Sequence, residues 1–215
     1  LLAEYFQAST REVLDYCDIL SKQDPILGAF IQQVGSLERT GTGDPYEATL
    51  DCIIAQQVST KAAHAISTRF FEKYPIDQAE RLLSASIEDL RACGLSSSKA
   101  QYLKNIAQSK LSGQVNYDQL KELSTQEVMD QLLPIKGVGR WTVEMVLIFS
   151  LLKQDVMSYD DLAIRRGIAR LYHKKEVKPE FFRKLYKRYA PYQTYASFYL
   201  WAASASKANI PFPKD

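Results

Sequence analysis

Leu133-Pro134-Ile135-Lys136-Gly137-Val138-Gly139-Arg140-Trp141-Thr142 is where the fold of this chain can first be read. Apolar residues at helical spacing flank it, over 125–132 on one side and 139–152 on the other. The Gly-x-Gly between them permits left-handed backbone and the close approach of a second backbone. A helix starting at about Gly139 points its unpaired N–H groups and the positive end of its dipole out of the turn. Such an end attracts anions, and a DNA phosphate is one candidate. Taken alone, Gly-x-Gly is a weak signal, better read as an ordinary tight connection between two helices.

Moving outward, the periodicity stays helical almost everywhere, and no Asn-Gly or Asp-Gly hairpin signal occurs. Asp24-Pro25 opens a helix over 24–31 with Leu27, Phe30, Ile31 and Val34 as its apolar stripe, and Gly35 can end it. Asp44-Pro45-Tyr46-Glu47 is a strong start: Asp44 can cap, Pro45 suits the first turn, and Glu47 can close a capping box. Ser59 can cap the next helix, which Pro75 ends. Further helices are expected at 79–85, 87–92, 98–111, 117–123, 161–172, 179–189 and 192–205. The expectation is an all-α fold of about ten helices.

Composition narrows the classes. At 215 residues the chain is one domain or one unit of two lobes, able to bury a core without disulfides or a structural metal. Cys17, Cys52 and Cys93 are scattered with no CxxC spacing, and His64 and His173 are far apart, which argues against zinc and iron–sulfur sites. Scattered thiols in odd number fit a reducing, intracellular compartment. No apolar run is long enough to span a membrane, and Leu1-Leu2-Ala3-Glu4-Tyr5 lacks a signal-peptide pattern. The chain begins without Met, so its natural start is expected to lie upstream. Net charge is only +2, but Lys136, Arg140, Arg165, Arg166, Arg170, Lys174 and Lys175 cluster late in the chain. They can track phosphates or simply form a solvated helix face.

About twenty residues past the hairpin comes Ser158-Tyr159-Asp160-Asp161-Leu162-Ala163-Ile164-Arg165-Arg166. Leu-x-x-x-Gly-x-Gly-x-x-Thr, an apolar helix and then an aspartate opening another helix resemble the helix-hairpin-helix DNA glycosylases. Gln56-Gln57-Val58-Ser59 and Gly94-Leu95-Ser96-x-x-Lys99-Ala100 look like the 3-methyladenine (alkylpurine) branch of bacteria and yeasts. The resemblance covers roughly 24–205. It implies a two-lobed helical domain with the active-site cleft between the lobes. One lobe is roughly 40–135; the other is the N-terminal segment plus the C-terminal helices.

The resemblance also assigns roles. It places the catalytic carboxylate at Asp161, with Asp160 left as the ordinary helix cap. Carboxylates are ionised at neutral pH as a class and can stabilise the oxocarbenium-like sugar formed when an N-glycosidic bond breaks. Lyase-type relatives carry a nucleophilic lysine two residues after the second hairpin glycine. Here Trp141 stands there, so no Schiff base is available and a monofunctional hydrolase is expected. Trp141 and Trp201 match base-pocket aromatics, suited to stacking on an electron-poor alkylated purine. Met145 and Leu162 stand where some relatives have aromatics, giving a thinner pocket. Gln57 matches the wedge that fills the stack after base flipping. Lys136, Gly137, Gly139, Arg140 and Thr142 are the expected phosphate-binding hairpin. The carbonyls of Leu133, Ile135 and Val138 would hold a monovalent cation, Na+ or K+; no other cofactor is expected.

The implied function is hydrolysis of alkylated purines (3-methyladenine, 7-methylguanine type) from double-stranded DNA, the opening step of base excision repair. A second reading is a homologue that grips abasic or distorted DNA without cutting. A third, a helical scaffold unrelated to repair, is opposed by the position of Asp161. The expected partner is damaged duplex DNA and the expected state monomeric. The expected location is the nucleus of a eukaryote, or the cytoplasm and nucleoid of a bacterium.

Overall fold

The computed structural model describes residues 10–37, 41 and 43–205, with residues 10–15 described for their backbone alone. The expectations placed on residues 1–5 lie outside that span. Among the described residues there are twelve α-helices, one 3-10 helix and no strand. The described residues divide into one compact unit within 41–152 and a second made of 10–37 with 153–205.

The second unit opens with α1 (Thr10–Gln23) and α2 (Pro25–Val34). The sequence reading passed over α1, although Tyr16, Cys17 and the fully buried Leu20 are spaced to share a face. Asp24 caps α2 as expected, its carboxylate accepting the amides of Ile26 and Leu27. The first unit carries α3 (Pro45–Ala55), α4 (Thr60–Lys73), α5 (Ala79–Ser84), α6 (Ile87–Arg91) and α7 (Ser97–Leu111). A 3-10 helix (Tyr117–Glu122), α8 (Thr125–Leu132) and α9 (Arg140–Phe149) complete it. Asp44 caps α3 through the amides of Tyr46 and Glu47, while both limbs of a capping box form at Ser124 and Glu127 on α8.

Back in the second unit, α10 (Leu162–Leu171) and α11 (Pro179–Arg188) precede α12 (Gln193–Ala205). Every residue of α12 from Gln193 to Trp201 is buried. Its sequence is mostly apolar, as a central helix requires, with Thr194 and Ser197 as buried polar exceptions. α10 crosses it at Gly167, where a Cβ would lie 2.0 Å from the Leu200 carbonyl oxygen, so the two backbones touch.

The fully buried Asp24 is the polar knot of this unit. Its second oxygen accepts Tyr172 Oη at 2.6 Å, Tyr189 Oη at 3.3 Å and Arg188 Nη1 at 2.5 Å. Burial alone would raise the Asp24 carboxyl. The hydrogen bonds from Tyr172, Arg188 and the Leu27 amide, with the Arg188 charge, outweigh it and hold the group below the usual carboxylate range. A lowered folded-state value stabilises the fold above the unfolded value of 3.8 and is lost as pH falls through the folded one. Wild type should therefore lose melting temperature more steeply than Asp24→Asn between about pH 5 and pH 2. Arg188→Met should cost about 1–2 kcal/mol in urea unfolding at neutral pH, less than a fully buried pair, because the tyrosine and amide donors remain.

Candidate DNA-repair site

In the first unit the hairpin is built as its sequence dictates. Gly137 has φ +105°, and a Cβ there would sit 2.1 Å from Cγ of Tyr102. Only glycine allows this turn to lie flat on that ring. Gly139 is different: its φ is −89° and a Cβ would meet nothing within 4 Å. It is the N-cap of α9 and offers no side-chain cap, and a helix N-terminus of this kind suits an anion. Lys136 is exposed, and its carbonyl accepts Asn105 Nδ2 at 2.9 Å. Arg140 is exposed and paired with the buried Glu144 at 2.9 Å.

Thr142 is the third residue of α9. It is 1% exposed, and its hydroxyl accepts Gln56 Nε2 at 3.0 Å. From the first turn of α9 this side chain points inward and braces the Gln56–Gln57 turn. Gln57 itself is exposed and has φ +55°. For a non-glycine residue that backbone costs about 1 kcal/mol or more, so its surroundings must hold it. Lys99, a residue the sequence reading used only as part of a motif, supplies the hold. Its ammonium donates to the carbonyls of Ile54 at 2.7 Å and Gln56 at 2.6 Å. A cleft of about 550 Å³ lies here, lined by Gln56, Gln57, Ser96, Lys99, Tyr102 and the hairpin residues 137–139 among others.

Of the residues expected to hold a cation, Ile135 and Val138 are buried and Leu133 is exposed. The Ile135 carbonyl already accepts the Val138 amide at 2.9 Å, which closes the turn and leaves its second lone pair. Backbone carbonyl oxygens are hard donors of the kind alkali cations take, so the turn fits such an ion.

Trp141 is half-buried on α9 and Met145, one turn on, is 5% exposed. Both belong to the first unit.

In the second unit Asp161, not Asp160, is the cap of α10. Its Oδ1 accepts the Ile164 amide at 2.8 Å and Trp201 Nε1 at 3.0 Å. Asp160 is exposed. The expected cap was Asp160; either residue satisfies the capping pattern, and the three-residue reach to the Ile164 amide makes Asp161 the cap. Trp201, expected in the base pocket, lies beside this carboxylate. At 6% exposure it packs against Phe198 with centroids 5.7 Å apart, and its N–H holds the carboxylate. Leu162, the neighbour of Asp161, is 51% exposed.

The segment leading to Asp161 is stitched to the same helix. Thr194 Oγ1 accepts the Val156 amide at 3.1 Å and donates to the Lys153 carbonyl at 2.8 Å; Ser197 Oγ donates to the Val156 carbonyl at 3.3 Å. Thr194, Ser197 and Trp201 follow the i, i+3, i+7 spacing of one helix face. That polar stripe on an apolar helix was the available signal for the residues the sequence reading missed. Arg170, grouped with the phosphate-tracking cations, caps the far end of α12 through the carbonyls of Ala203 and Ser204.

A Gly-x-Gly hairpin between α8 and α9, and an aspartate capping α10, place this all-helical chain in the helix-hairpin-helix class. A family model described as HhH-GPD superfamily base excision DNA repair protein matches residues 50–191. The DNA-3-methyladenine glycosylase 1 of Schizosaccharomyces pombe is 38% identical over 168 residues, covering 75% of this chain and 73% of that protein. The alkylbase DNA glycosidase-like protein mag2 of the same yeast is 31% identical over 193 residues, 85% of this chain and 89% of its own length. Among solved structures, the S. pombe 3-methyladenine DNA glycosylase in complex with abasic DNA superposes with a TM-score of 0.81 at 36% identity, covering 87% of this chain and 95% of that one. The Bacillus halodurans DNA-3-methyladenine glycosidase gives 0.78 at 32% identity, covering 94% and 93%. The chain belongs to the HhH-GPD superfamily of base excision DNA repair proteins.

Proposed function

We infer that this protein is a DNA glycosylase of base excision repair that hydrolyses the N-glycosidic bond of alkylated purines, of 3-methyladenine and 7-methylguanine type, in duplex DNA. The observation that carries the reading is Asp161, a carboxylate fixed at one oxygen by an indole N–H and a helix amide. As the bond between C1′ and the base nitrogen breaks, its electron pair leaves with the base and positive charge builds on the sugar. A unit charge pair at ~4 Å is worth about 1 kcal/mol in water and about 4 at an effective dielectric of roughly 20, so the carboxylate gains weight where DNA excludes water. Water then adds at C1′, and its proton passes to Asp161 or to solvent. The purine is already cationic when methylated and leaves readily.

The other residues take supporting roles. Gln57 fills the stack once the base has turned out. Trp141, with Met145 beside it, is assigned to base recognition, as is Leu162; Trp141 in place of an amine makes the enzyme a hydrolase without lyase chemistry. Gly137, Gly139, Lys136, Arg140 and the first amides of α9 receive DNA phosphate. Leu133, Ile135 and Val138 carbonyls would hold a Na+ or K+ ion, whose charge would favour phosphate at the turn. Such an enzyme works where DNA is kept, as a monomer. No described helix is long and apolar enough to cross a membrane.

The deciding experiment is base release from methylated duplex DNA. Wild type should liberate 3-methyladenine, and binding should weaken steeply with salt because phosphate contacts supply most of the affinity. Tight abasic-site binding with no release would favour the non-cutting homologue instead.

A further inference from the structure

We propose that Lys99 is the positioning residue of the DNA wedge: its ammonium fixes the peptide plane that sets Gln57 in a left-handed backbone aimed at the duplex. The inference rests on reading Gln57 as the wedge and goes beyond it by naming what holds that side chain ready.

The geometry is local and specific. The Gln56 carbonyl and the Gln57 amide share one rigid peptide plane. Lys99 Nζ anchors that carbonyl at 2.6 Å and the Ile54 carbonyl at 2.7 Å, so the plane cannot rotate without breaking a charged hydrogen bond. Rotation of that plane is what would change φ of Gln57, now +55°. The side chain of Gln56 is tied separately, to Thr142 on α9. The turn is thus held by α7 on one side and α9 on the other.

The position of Lys99 in its own helix points the same way. It sits in the first turn of α7, with its amide accepted by Ser96 Oγ at 3.2 Å. A cation there opposes the dipole of α7. At the C-terminal end of α3 the same cation is favourable, since the last carbonyls of a helix have no partner within it. Lys99 is half-buried, and burial draws its ammonium below the usual lysine range. It is therefore a costly residue for its own helix, compensated by the turn that carries Gln57.

The test compares Lys99→Met, Lys99→Arg, Gln57→Ala and the Lys99→Met/Gln57→Ala double variant. Single-turnover release of methylpurine is read from a methylated duplex and from the same strand unpaired. A wedge matters only when a stack must be filled, so Lys99→Met should slow release from the duplex by roughly ten-fold or more while leaving the single strand within about two-fold. Misfolding would lower both alike, so their ratio reports positioning. The double variant should be no slower than Gln57→Ala, and Lys99→Arg, which keeps two donors, should recover most of the duplex rate. Equal loss on both substrates, additive losses in the double variant, or a full duplex rate in Lys99→Met would overturn the proposal. If wild type releases nothing from either substrate, the glycosylase reading fails. Hydrogen exchange at the amides of Gln56–Ser59 then decides the role of Lys99: faster exchange in Lys99→Met supports it, unchanged exchange refutes it.

Discussion

Asp161→Asn is expected to slow methylpurine release by roughly a hundred-fold or more, the scale of losing one preorganised electrostatic stabiliser. The substitution isolates charge from architecture. An asparagine carbonyl oxygen can still accept the Ile164 amide and Trp201 Nε1, and asparagine caps helices as well as aspartate does. Urea unfolding should therefore be nearly unchanged. Asp161→Ala removes the acceptor too, and should add about 1 kcal/mol of destabilisation to the same kinetic loss. An asparagine variant within ten-fold of wild type would remove Asp161 from the chemistry.

Gly167→Ala should be the most damaging small substitution in the second unit. A Cβ at this position lies 2.0 Å from the Leu200 carbonyl oxygen and 2.7 Å from its carbon, both backbone atoms of a buried helix. Neither can turn aside as a flexible side chain would. Alanine is the better helix former by about 1 kcal/mol, but the clash runs against it and wins. The net expectation is a loss of about 3 kcal/mol or more in unfolding free energy. Release should fall as well, because α12 carries Thr194, Ser197 and Trp201, which place Asp161 and the segment before it. A variant within about 1 kcal/mol of wild type would mean that α10 and α12 do not touch there.

Much of this was open to view in the chain itself. Proline at the first helical position after aspartate marked α2 and α3, and Ser59 marked α4, because caps and their amides lie within three residues of each other. The hairpin was legible for the same reason: Gly137 needs a positive φ that few other residues tolerate. One assignment came out differently where two local patterns were equally good. Asp160 and Asp161 both fit a cap, and the Ile164 amide is bound by Asp161.

What sequence determined by itself is the helical class, the order of the elements from α2 onward, the hairpin and the carboxylate that follows it. Each depends on periodicity or on neighbours a few residues apart. Only tertiary structure decided what holds the functional groups in place. Lys99 reaches carbonyls more than forty residues away in sequence, Trp201 reaches Asp161 across forty residues, and Gly167 meets Leu200 backbone to backbone. Hydrogen bonds and van der Waals contacts act over a few ångströms of space. The chain's linear order does not say which distant residues packing will bring that near.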